Sequence, residues 1–514
     1  MTATAARLFE GAEWDFAKLQ RIHDACEEIA RSELGLDTYP NQIEVITAEQ
    51  MLDAYSSAGM PLFYKHWSFG KHFAHHEAFY RKGLMGLAYE IVINSSPCIS
   101  YLMEENTATM QTLVIAHAAF GHNHFFKNNY LFKQWTDADG ILDYLDFAKS
   151  YVAQCEERHG RQAVEQTLDA AHALMSHGID RYPGKKNLDL RAEEKRAGER
   201  RLHEESVFND LWRTVPTGKV KSAEVLSSER RRKLLGLPQE NLLYFLEKAA
   251  PRLQPWQREA LRIVRHIAQY FYPQSQTKVM NEGTATYVHY RIMNRLHELG
   301  RISDGNFLEF LQSHTNVVFQ PDFDDPRFSG FNPYALGFAM MQDIERIVSN
   351  PDDEDREWFP DIAGTGDVMA VLRNTWANYR DESFISQFLS PRLVRKLRMF
   401  HLHDDPEESA GIRVDAIHDE RGYRRVRREL ARQYDVGFID PNIEVVDVDL
   451  AGDRRLMLRH AVVKGAQLNE VEAKRVLQHL ADLWSYDVSL VEVDATDTVL
   501  REHVVSPRRH AAAA

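Results

Sequence analysis

Two apolar segments of this chain carry groups that an ordinary helical core does not contain. They lie within residues 116–129 and 280–289, and the groups are His117, His122, His124, Glu282 and His289. Imidazole and carboxylate groups are costly to bury unless something pairs with them. The sequence therefore predicts that the two segments fold together as the two halves of one metal site, with the rest of the chain as its support.

The second segment places its two polar groups on one helical face. Successive residues of an α-helix advance by about 100°, so side chains seven positions apart return to nearly the same side, two turns along. Glu282 and His289 have this spacing, so their side chains can meet across a bound ion or point into one cavity. Two alternatives stay open, a carboxylate favoured by the dipole near the helix start and a hydrogen-bonded core histidine.

The first segment is less regular. His117 and His124 share a face, whereas His117 and His122 are five positions apart and diverge by roughly 140° on a straight helix. His122 can join His117 only where the helix bends or ends, and Gly121 is a suitable place. The His-Glu-x-x-His spacing of many zinc proteases is absent. Spacing alone therefore leaves both a metal site and a set of core histidines open.

Length and charge limit the class of protein. A chain of 514 residues is too long for one core, so we expect two or three domains. Its 44% hydrophobic and 27% charged residues are typical of a soluble protein. The net charge of −14, without a long basic stripe, argues against a general nucleic-acid binder, whose affinity rests on neutralising phosphates.

Cysteine usage and the apolar pattern favour a cytoplasmic protein. Cys26, Cys98 and Cys155 are far apart, so we expect no disulfide framework. The N-terminal residues lack the basic and apolar regions of a secretory signal. The most apolar window, residues 83–103, is interrupted by polar residues and a proline, so we expect no transmembrane segment.

The predicted fold class is α+β, with a mainly helical domain over residues 1–404. Residues 89–100 are expected to contain a buried strand. A helix is then expected from about Ser100, and it would carry Glu104 and Glu105. These carboxylates would follow the strand closely along the chain.

Two stretches of this domain are assigned no chemistry. Residues 191–205 are almost wholly charged with both signs mixed, which indicates a mobile connector at about 184–240. Residues 64–73 are dense in aromatic rings and histidine, and we interpret them as packing rather than as the lining of a pocket.

Residues 405–505 are expected to form a small second domain. Their pattern is that of a ferredoxin-like βαββαβ module, with elements at 412–416, 423–434, 445–450, 456–462, 469–483 and 488–493. No catalytic pattern lies in it, so we interpret it as an interaction or assembly module. The tail 506–514 is expected to be disordered.

Several segments together resemble the stage V sporulation protein R (SpoVR) family. The matching segments are 64–69, 89–96, 116–130, 280–289, 332–338 and 379–384. They are scattered over most of the helical domain, so the resemblance is specific. The family pattern includes the positions of His117 and His122 and is not expected to include that of His124. The metal ligands that the resemblance favours are His117, His122, Glu282 and His289.

The resemblance also implies a biological setting. The family name comes from spore cortex formation, and similar proteins occur in bacteria that form no spores. Members tend to be encoded beside a serine protein kinase of the PrkA type and a von Willebrand-type partner protein. We therefore expect a sporulation, stress or other process that involves the cell envelope, while the family supplies no established reaction.

This ligand set predicts a metal-dependent hydrolase. Three nitrogens and one carboxylate suit Zn²⁺, with Fe²⁺ or Mn²⁺ as alternatives, and a bound water would have its pKa lowered to about 7. The general base is left open among Glu90, Glu104 and Glu105. Side chains expected to orient substrate or neutralise developing charge are Asn123, Lys127, Asn128 and Arg380. Given the family association, the expected substrate is an amide bond in a peptide or peptidoglycan fragment.

A non-catalytic regulator or scaffold is the alternative hypothesis. Its metal would be structural, with four ligands and no open position, and the second domain would bind a partner. Further ligands are left open at His124 and His172, since His172 has an Asp-x-x-His spacing with Asp169. His314 is interpreted as a structural residue.

Overall fold

The structure is a computed structural model that describes residues 6–56, 64, 66, 90–181, 235–404, 412–415, 419–450, 452–463 and 465–508. Its contacts divide the chain into two compact units. The first unit contains Met1–Lys149 and Pro273–Asp435, and the second contains Ser150–Tyr272 and Val436–Ala514. The predicted charged run 191–205, the end of the tail after residue 508, and most of the aromatic stretch 64–73 lie outside the described residues.

Helices make up most of the described chain. The α-helices are α1 (Phe16–Ser32), α2 (Ala48–Ser56), α3 (Ala108–Ile115), α4 (Asn123–Asn128), α5 (Tyr130–Trp135), α6 (Ile141–His159), α7 (Arg161–Ala173), α8 (Leu242–Ala249), α9 (Pro255–Gln276), α10 (Lys278–Glu298), α11 (Asp304–Val317), α12 (Pro333–Ser349), α13 (Asp353–Trp358), α14 (Val368–Asn378), α15 (Asp381–Phe388), α16 (Pro391–Lys396), α17 (Glu420–Gln433), α18 (Val436–Ile439) and α19 (Glu470–Trp484). A π-helix spans Ala116–His122, and a 3₁₀ turn spans Met175–His177.

The strands form three separate sheets. They are β1 (Asn41–Ile46), β2 (Glu90–Ile93), β3 (Cys98–Met103), β4 (His401–Asp404), β5 (Ile412–Asp415), β6 (Ile443–Val448), β7 (Leu456–Ala461), β8 (Val488–Val493) and β9 (Val499–Val505). The first sheet has the order β1-β3-β2, in which β1 is parallel and β2 antiparallel to β3. β4 and β5 form an antiparallel pair, and the last sheet has the order β6-β7-β8-β9.

Helix α10 lies at the centre of the first unit, where glycines allow close approach to its neighbours. A Cβ on Gly121 of the π-helix would lie 2.5 Å from the Cα of Ala285 in α10. On the other side, a Cβ on Gly283 would lie 2.6 Å from the backbone of Gly337 in α12. The first of these approaches places the two polar segments of the sequence against each other, because Gly121 has no side chain to hold the helices apart.

A buried carboxylate holds the start of α10. Asp381, which is fully buried, accepts hydrogen bonds of 2.8 Å from the backbone N–H groups of Val279 and Met280. These are N–H groups of the first turn, which have no partner within the helix. Asp381 therefore fixes the helix start one turn ahead of the polar groups that α10 carries.

The α+β class is confirmed, with a helical N-terminal part and a C-terminal sheet domain that includes a helix. The six predicted elements are present in the predicted βαββαβ chain order, but they do not form one ferredoxin-like sheet, because β5 lies outside the four-stranded sheet and β9 is added to it. The four-stranded sheet has the chain order β6-β7-α19-β8-β9, with β7 parallel to β8. The last strand, β9, was not predicted, because alternating polar residues leave it without a continuous apolar pattern.

The first strand and helix of the predicted module belong to the first unit instead. β5 pairs with β4, and α17 buries Tyr423, Val426 and Leu430 in the core of the first unit. Arg427 of the same helix donates to the carbonyl of Leu389 at 2.9 Å, and its guanidinium lies 4.7 Å from the ring centre of Trp358. The compact unit thus extends to residue 435 rather than 404.

The region before the π-helix also differs from the sequence-based prediction. A strand was expected in residues 89–100, and β2 lies there; a helix was expected from Ser100, but β3 continues to Met103. The reason is the pairing of β3 on both sides, parallel with β1 and antiparallel with β2. Neither partner can be deduced from local periodicity.

Two compositional expectations concern cysteines and membrane spans. Cys26, Cys98 and Cys155 are all free and buried thiols, as expected. In the part of the chain that the structure describes, no helix combines the length and apolar character required to cross a bilayer.

Candidate metal centre

A π-helix brings two histidines onto one face. α3, the π-helix and α4 follow one another without a break from Ala108 to Asn128. Hydrogen bonds from residue i to i+5 widen each turn, so residues five apart diverge less than they do on an α-helix. His117 and His122 have this spacing, and their ring centres are 4.6 Å apart. The predicted interruption near Gly121 is therefore a change of helix type that keeps the chain helical.

The carboxylates that meet these imidazoles come from two other elements. Nε2 of His122 lies 3.5 Å from Oε2 of Glu282, on α10, and Nε2 of His117 lies 3.9 Å from the same oxygen. Glu90, the first residue of β2, places Oε1 3.6 Å from Nε2 of His117. Two imidazoles and two carboxylates thus face one small region from three parts of the fold.

Two of the atoms that face one another have no hydrogen-bond partner. His117 Nε2 and Glu282 Oε2 are buried and form no hydrogen bond. The two histidine side chains are 4% and 8% exposed, and that of Glu282 is 18% exposed. A buried polar atom without a partner costs free energy, so a cluster of them aimed at one point needs an explanation such as an ion. Imidazole nitrogens and carboxylate oxygens that face one another in this way are the ligand atoms typical of a divalent-metal site.

Asn281 orients one of the two imidazoles. Nδ1 of His122 donates to the side-chain oxygen of Asn281 at 2.9 Å. A neutral imidazole carries a proton on only one nitrogen, so this hydrogen bond leaves Nε2 as an acceptor facing Glu282. Such a partner is typical of metal-binding histidines, whose second nitrogen is held by a protein oxygen.

His289 lies behind His117 and uses both of its ring nitrogens. Its Nδ1 lies 2.9 Å from Nδ1 of His117, and its Nε2 lies 2.9 Å from Nδ1 of His314. The sequence-based prediction placed His289 among the metal ligands. The structure brings it into the cluster, but both nitrogens are engaged by other imidazoles, so we assign it a supporting place. His314, interpreted from sequence as structural, is the last of these three hydrogen-bonded imidazoles.

The electrostatics favour a neutral His122 beside an ionised Glu282. Burial lowers the pKa of His122 to about 4, although Glu282 opposes the shift. Burial raises the pKa of Glu282, but His122, His117 and a hydrogen bond from Tyr334 outweigh it and leave that pKa below its usual value. Burial, with Glu282 nearby, raises the pKa of Glu90. Neutral nitrogens and an anionic oxygen are the forms that bind metal.

The alternative role for Glu282, as a helix cap, belongs to another residue. The first N–H groups of α10 are bound by Asp381, as described above. Glu282 lies further along the helix, and its Oε2 faces the histidines. Tyr334, at the start of α12, contacts the same group and stacks on His117 with ring centres 6.3 Å apart.

The predicted substrate-orienting residues hold a loop instead. Asn123 bonds to both backbone groups of Tyr39, at 2.8 and 3.0 Å. Lys127 donates to Asp37 and Thr38, and Asn128 donates to the carbonyl of Asp37 at 2.8 Å. All three side chains therefore tie the segment before β1 to α4, through hydrogen bonds to Asp37, Thr38 and Tyr39.

The remaining predicted catalytic residues also lie elsewhere. Glu104 and Glu105 are exposed on the turn after β3, where Glu105 accepts a hydrogen bond from the N–H of Ala48. Arg380 precedes α15 and pairs with Glu382 at 3.4 Å. Of the carboxylates considered as bases, the structure brings only Glu90 to the histidines.

The two further ligand candidates are not part of the cluster. His124 turns to the other side of the helix, where its Nδ1 accepts from the N–H of Asp37 at 3.0 Å and its ring packs edge-on against Trp376. His172 lies on α7, and the close group of potential ligands in the described residues, Glu90, His117 and His122, does not include it. A second set of close potential ligands in the described residues, His23, Asp24 and Glu27, lies on α1 with Asp24 exposed.

Sequence reasoning missed Asn281, Tyr334 and the supporting place of His314. Asn281 adjoins Glu282, but a single residue step on a helix moves the side chain by about 100°, so its approach to His122 depends on the π-helix. Tyr334 lies in a segment that was singled out for its family resemblance and given no role. For Tyr334 the sequence therefore indicated the segment, but it did not indicate the contacts with Glu282 and His117.

Comparisons with known proteins agree with the resemblance. Residues 13–439 match the model of the family described as SpoVR like protein, and residues 441–495 match that of the SpoVR-like C-terminal domain. The chain is 52% identical over 490 residues to the uncharacterized protein YcgB of Escherichia coli (strain K12), covering 95% of this chain and 94% of the relative. No solved structure matches the chain significantly.

Proposed function

The chain belongs to the SpoVR family, and we propose that it is a metal-dependent hydrolase with its ion held by His117, His122 and Glu282. One observation carries the proposal. His117 Nε2 and Glu282 Oε2 are buried without hydrogen-bond partners. Oε2 of Glu282 lies 3.9 Å from Nε2 of His117 and 3.5 Å from Nε2 of His122.

These separations suit a shared ion. Zinc binds histidine nitrogen and carboxylate oxygen at about 2.0–2.2 Å, so two ligands of a tetrahedral ion lie roughly 3.4 Å apart. The distances of 3.5 and 3.9 Å from Glu282 to the two imidazoles are close to that value. Zn²⁺ is therefore the ion we propose first, with Fe²⁺ or Mn²⁺ as alternatives, since two histidines and one carboxylate also form iron sites.

Glu90 is the general base in this proposal. It comes from a strand rather than from the helices that carry the ligands, and its carboxylate lies 3.6 Å from Nε2 of His117. A water held at the open position of the ion would lie within reach of this carboxylate, which would accept its proton as the nucleophile forms. The raised pKa of Glu90, caused by burial and by Glu282, favours a group that both takes up and returns a proton.

The substrate we propose is an amide bond in a peptide or peptidoglycan fragment. Metal-bound water is an established means of cleaving such bonds, and the family association points to the cell envelope. A serine kinase of the PrkA type and a von Willebrand-type protein are the partners we propose on the same ground.

A structural metal in a non-catalytic scaffold is the second candidate. The observation that favours it is that Glu90 lies close enough to His117 and His122 to share an ion with them, so it could be a fourth ligand beside Glu282. Structural zinc sites are closed in this way and contribute directly to folding. The two candidates therefore differ in what Glu90 does.

The test is the metal content and turnover of the full chain and of two variants. We expect about one equivalent of metal by elemental analysis, lost in Glu282→Ala, and retained in Glu90→Gln with loss of amide cleavage on peptidoglycan fragments. Glu104→Gln is the matched control, because Glu104 is exposed away from the cluster. Loss of metal and fold in Glu90→Gln would favour the scaffold, and a wild-type chain that binds no metal would contradict both.

A further inference from the structure

Three imidazoles form a continuous hydrogen-bonded row that begins at the candidate metal centre. Nδ1 of His117 meets Nδ1 of His289, and Nε2 of His289 meets Nδ1 of His314, each at 2.9 Å. All three residues are at least 95% buried, so water has little access to replace these hydrogen bonds. Each contact requires one nitrogen to donate and the other to accept.

The row has two consistent proton arrangements. Counting one proton for each neutral ring, the protons lie either on His117 Nδ1, His289 Nε2 and His314 Nε2, or on His314 Nδ1, His289 Nδ1 and His117 Nε2. Any mixture would set two donors or two acceptors against each other at 2.9 Å. The tautomer of one ring therefore determines the tautomers of the other two.

Only the first arrangement leaves the metal-facing nitrogen of His117 able to bind a cation. In the second arrangement His117 Nε2 carries a proton, and that proton would face Glu90 at 3.6 Å and Glu282 at 3.9 Å, both beyond hydrogen-bond distance. In the first, His117 Nε2 presents a lone pair while Nδ1–H donates to His289. Metal-binding histidines typically donate their other N–H in this manner.

We infer that His289 and His314 are positioning residues that hold His117 in the Nδ1–H tautomer and present its Nε2 to the ion. The inference rests on the proposed function, since it needs a cation at the centre. It explains why His289 shares a helical face with Glu282 although it is not a ligand. It also gives His314 a role at a distance from the ion.

The neighbours of His314 support a fixed ring orientation. The ring packs against Phe338 and Tyr290 with centres 4.8 and 5.1 Å apart, and Phe310 lies 5.6 Å away. Phe310 also contacts His289 edge-on at 6.0 Å. Aromatic rings around both histidines restrict rotation, so each ring nitrogen stays aimed at its partner in the row.

The experiment measures Zn²⁺ affinity of the full chain by competition with a chelator. We expect His289→Leu to weaken binding by about 10- to 100-fold, the effect typical of such supporting groups. His289→Gln should recover most of the affinity, because an amide both accepts from His117 and donates to His314. His124→Leu is the matched control, because His124 is a buried histidine on the helical run that carries His117 but lies outside the row, and it should leave affinity unchanged.

A second variant keeps the test informative if His289 variants do not fold. His314→Phe places a ring of similar size among aromatic neighbours but removes the acceptor for His289, and it should weaken Zn²⁺ binding about tenfold. Wild-type affinity in His289→Leu or His314→Phe, or equal losses in His289→Leu and His289→Gln, would overturn this inference and leave the proposed function standing. A wild-type chain that binds no Zn²⁺ would overturn both.

A spectroscopic measurement addresses the tautomer itself. In the Zn²⁺-loaded chain with ¹⁵N-labelled histidine, we expect protonated Nδ1 on His117 and protonated Nε2 on His289 and His314. The reverse assignment for His289 would contradict the inference.

Discussion

The side-chain amide of Asn123 makes hydrogen bonds to the backbone just before β1, of the kind that a neighbouring strand would otherwise make. It accepts from the N–H of Tyr39 at 2.8 Å, donates to the carbonyl of Tyr39 at 3.0 Å, and donates to Asn41 at 2.7 Å. An amide beside histidines was a reasonable candidate for substrate binding from sequence. The contacts instead assign it to stability, because every one of them is to Tyr39 or to Asn41, the first residue of β1.

Replacing Asn123 by leucine tests that assignment. The substitution keeps the approximate volume but leaves both backbone groups of Tyr39 unpaired, so we expect a loss of about 2–4 kcal/mol in the free energy of unfolding. Metal content should not change. Urea denaturation measures the first and elemental analysis the second. The exposed Asn378→Leu is the control, expected to stay within about 0.5 kcal/mol of wild type; unchanged stability with lost turnover would instead return Asn123 to substrate binding.

Residue identities at the centre were more predictable than residue roles. The buried imidazoles and the carboxylate stand out in apolar sequence because burial is costly without a partner, and the structure does bring His117, His122 and Glu282 together. Whether a histidine binds an ion or another histidine depends on what faces each nitrogen. For His289 that is settled by His117 and His314, which are far from it in sequence.

At the scale of elements, the π-helix and α10 form the support of the centre. A helix period of 3.6 residues assumes hydrogen bonds from i to i+4, and it sets His117 and His122 apart. The i to i+5 bonding of Ala116–His122 reverses that result. No local pattern indicates this change, although Gly121, where the sequence suggested an interruption, is a position at which α10 approaches the π-helix closely.

Gly121→Ala should disturb both stability and metal binding. Its new Cβ would lie 2.5 Å from the Cα of Ala285 and 2.9 Å from its Cβ, so one helix must move. We expect a loss of about 1–3 kcal/mol in the free energy of unfolding, typical of overpacking. Zn²⁺ affinity should also fall, because the shift separates the histidines of the π-helix from Glu282. Urea denaturation and chelator competition measure the two effects.

The matched control for this variant is Gly11→Ala. A Cβ at Gly11 meets no atom within 4 Å, and its backbone conformation needs no glycine. Its stability and affinity should therefore equal those of wild type. Wild-type behaviour of Gly121→Ala would show that the two helices do not approach as closely as the structure places them.

For the whole molecule, the broad class followed from sequence, and the assignment of elements to units did not. Helical periodicity and the late strands predicted an α+β chain, which is confirmed. The helix Glu420–Gln433 could not be placed in this way, since its amphipathic pattern shows that one face is buried but not against what. The core of the first unit decides that question through contacts such as Arg427 with Trp358.

Buried histidines outside the candidate metal centre should make the stability of the chain depend on pH. His177, in the second unit, is 7% exposed, and burial, with Arg181 and His460 nearby, lowers its pKa from 6.5 to about 4. Between these values the unfolded chain binds a proton that the folded chain does not. The free energy of unfolding therefore falls as the pH falls from 6.5 towards 4, by about 2 kcal/mol at pH 5 for this residue.

His177→Gln removes this contribution. Comparing the difference in unfolding free energy between about pH 7.5 and pH 5 cancels the general cost of the substitution, and we expect that difference to shrink by about 2 kcal/mol relative to wild type. His159→Gln, at an exposed histidine, should leave the difference unchanged. Equal pH differences in wild type and His177→Gln would mean that His177 takes up its proton in the folded chain as readily as in the unfolded one.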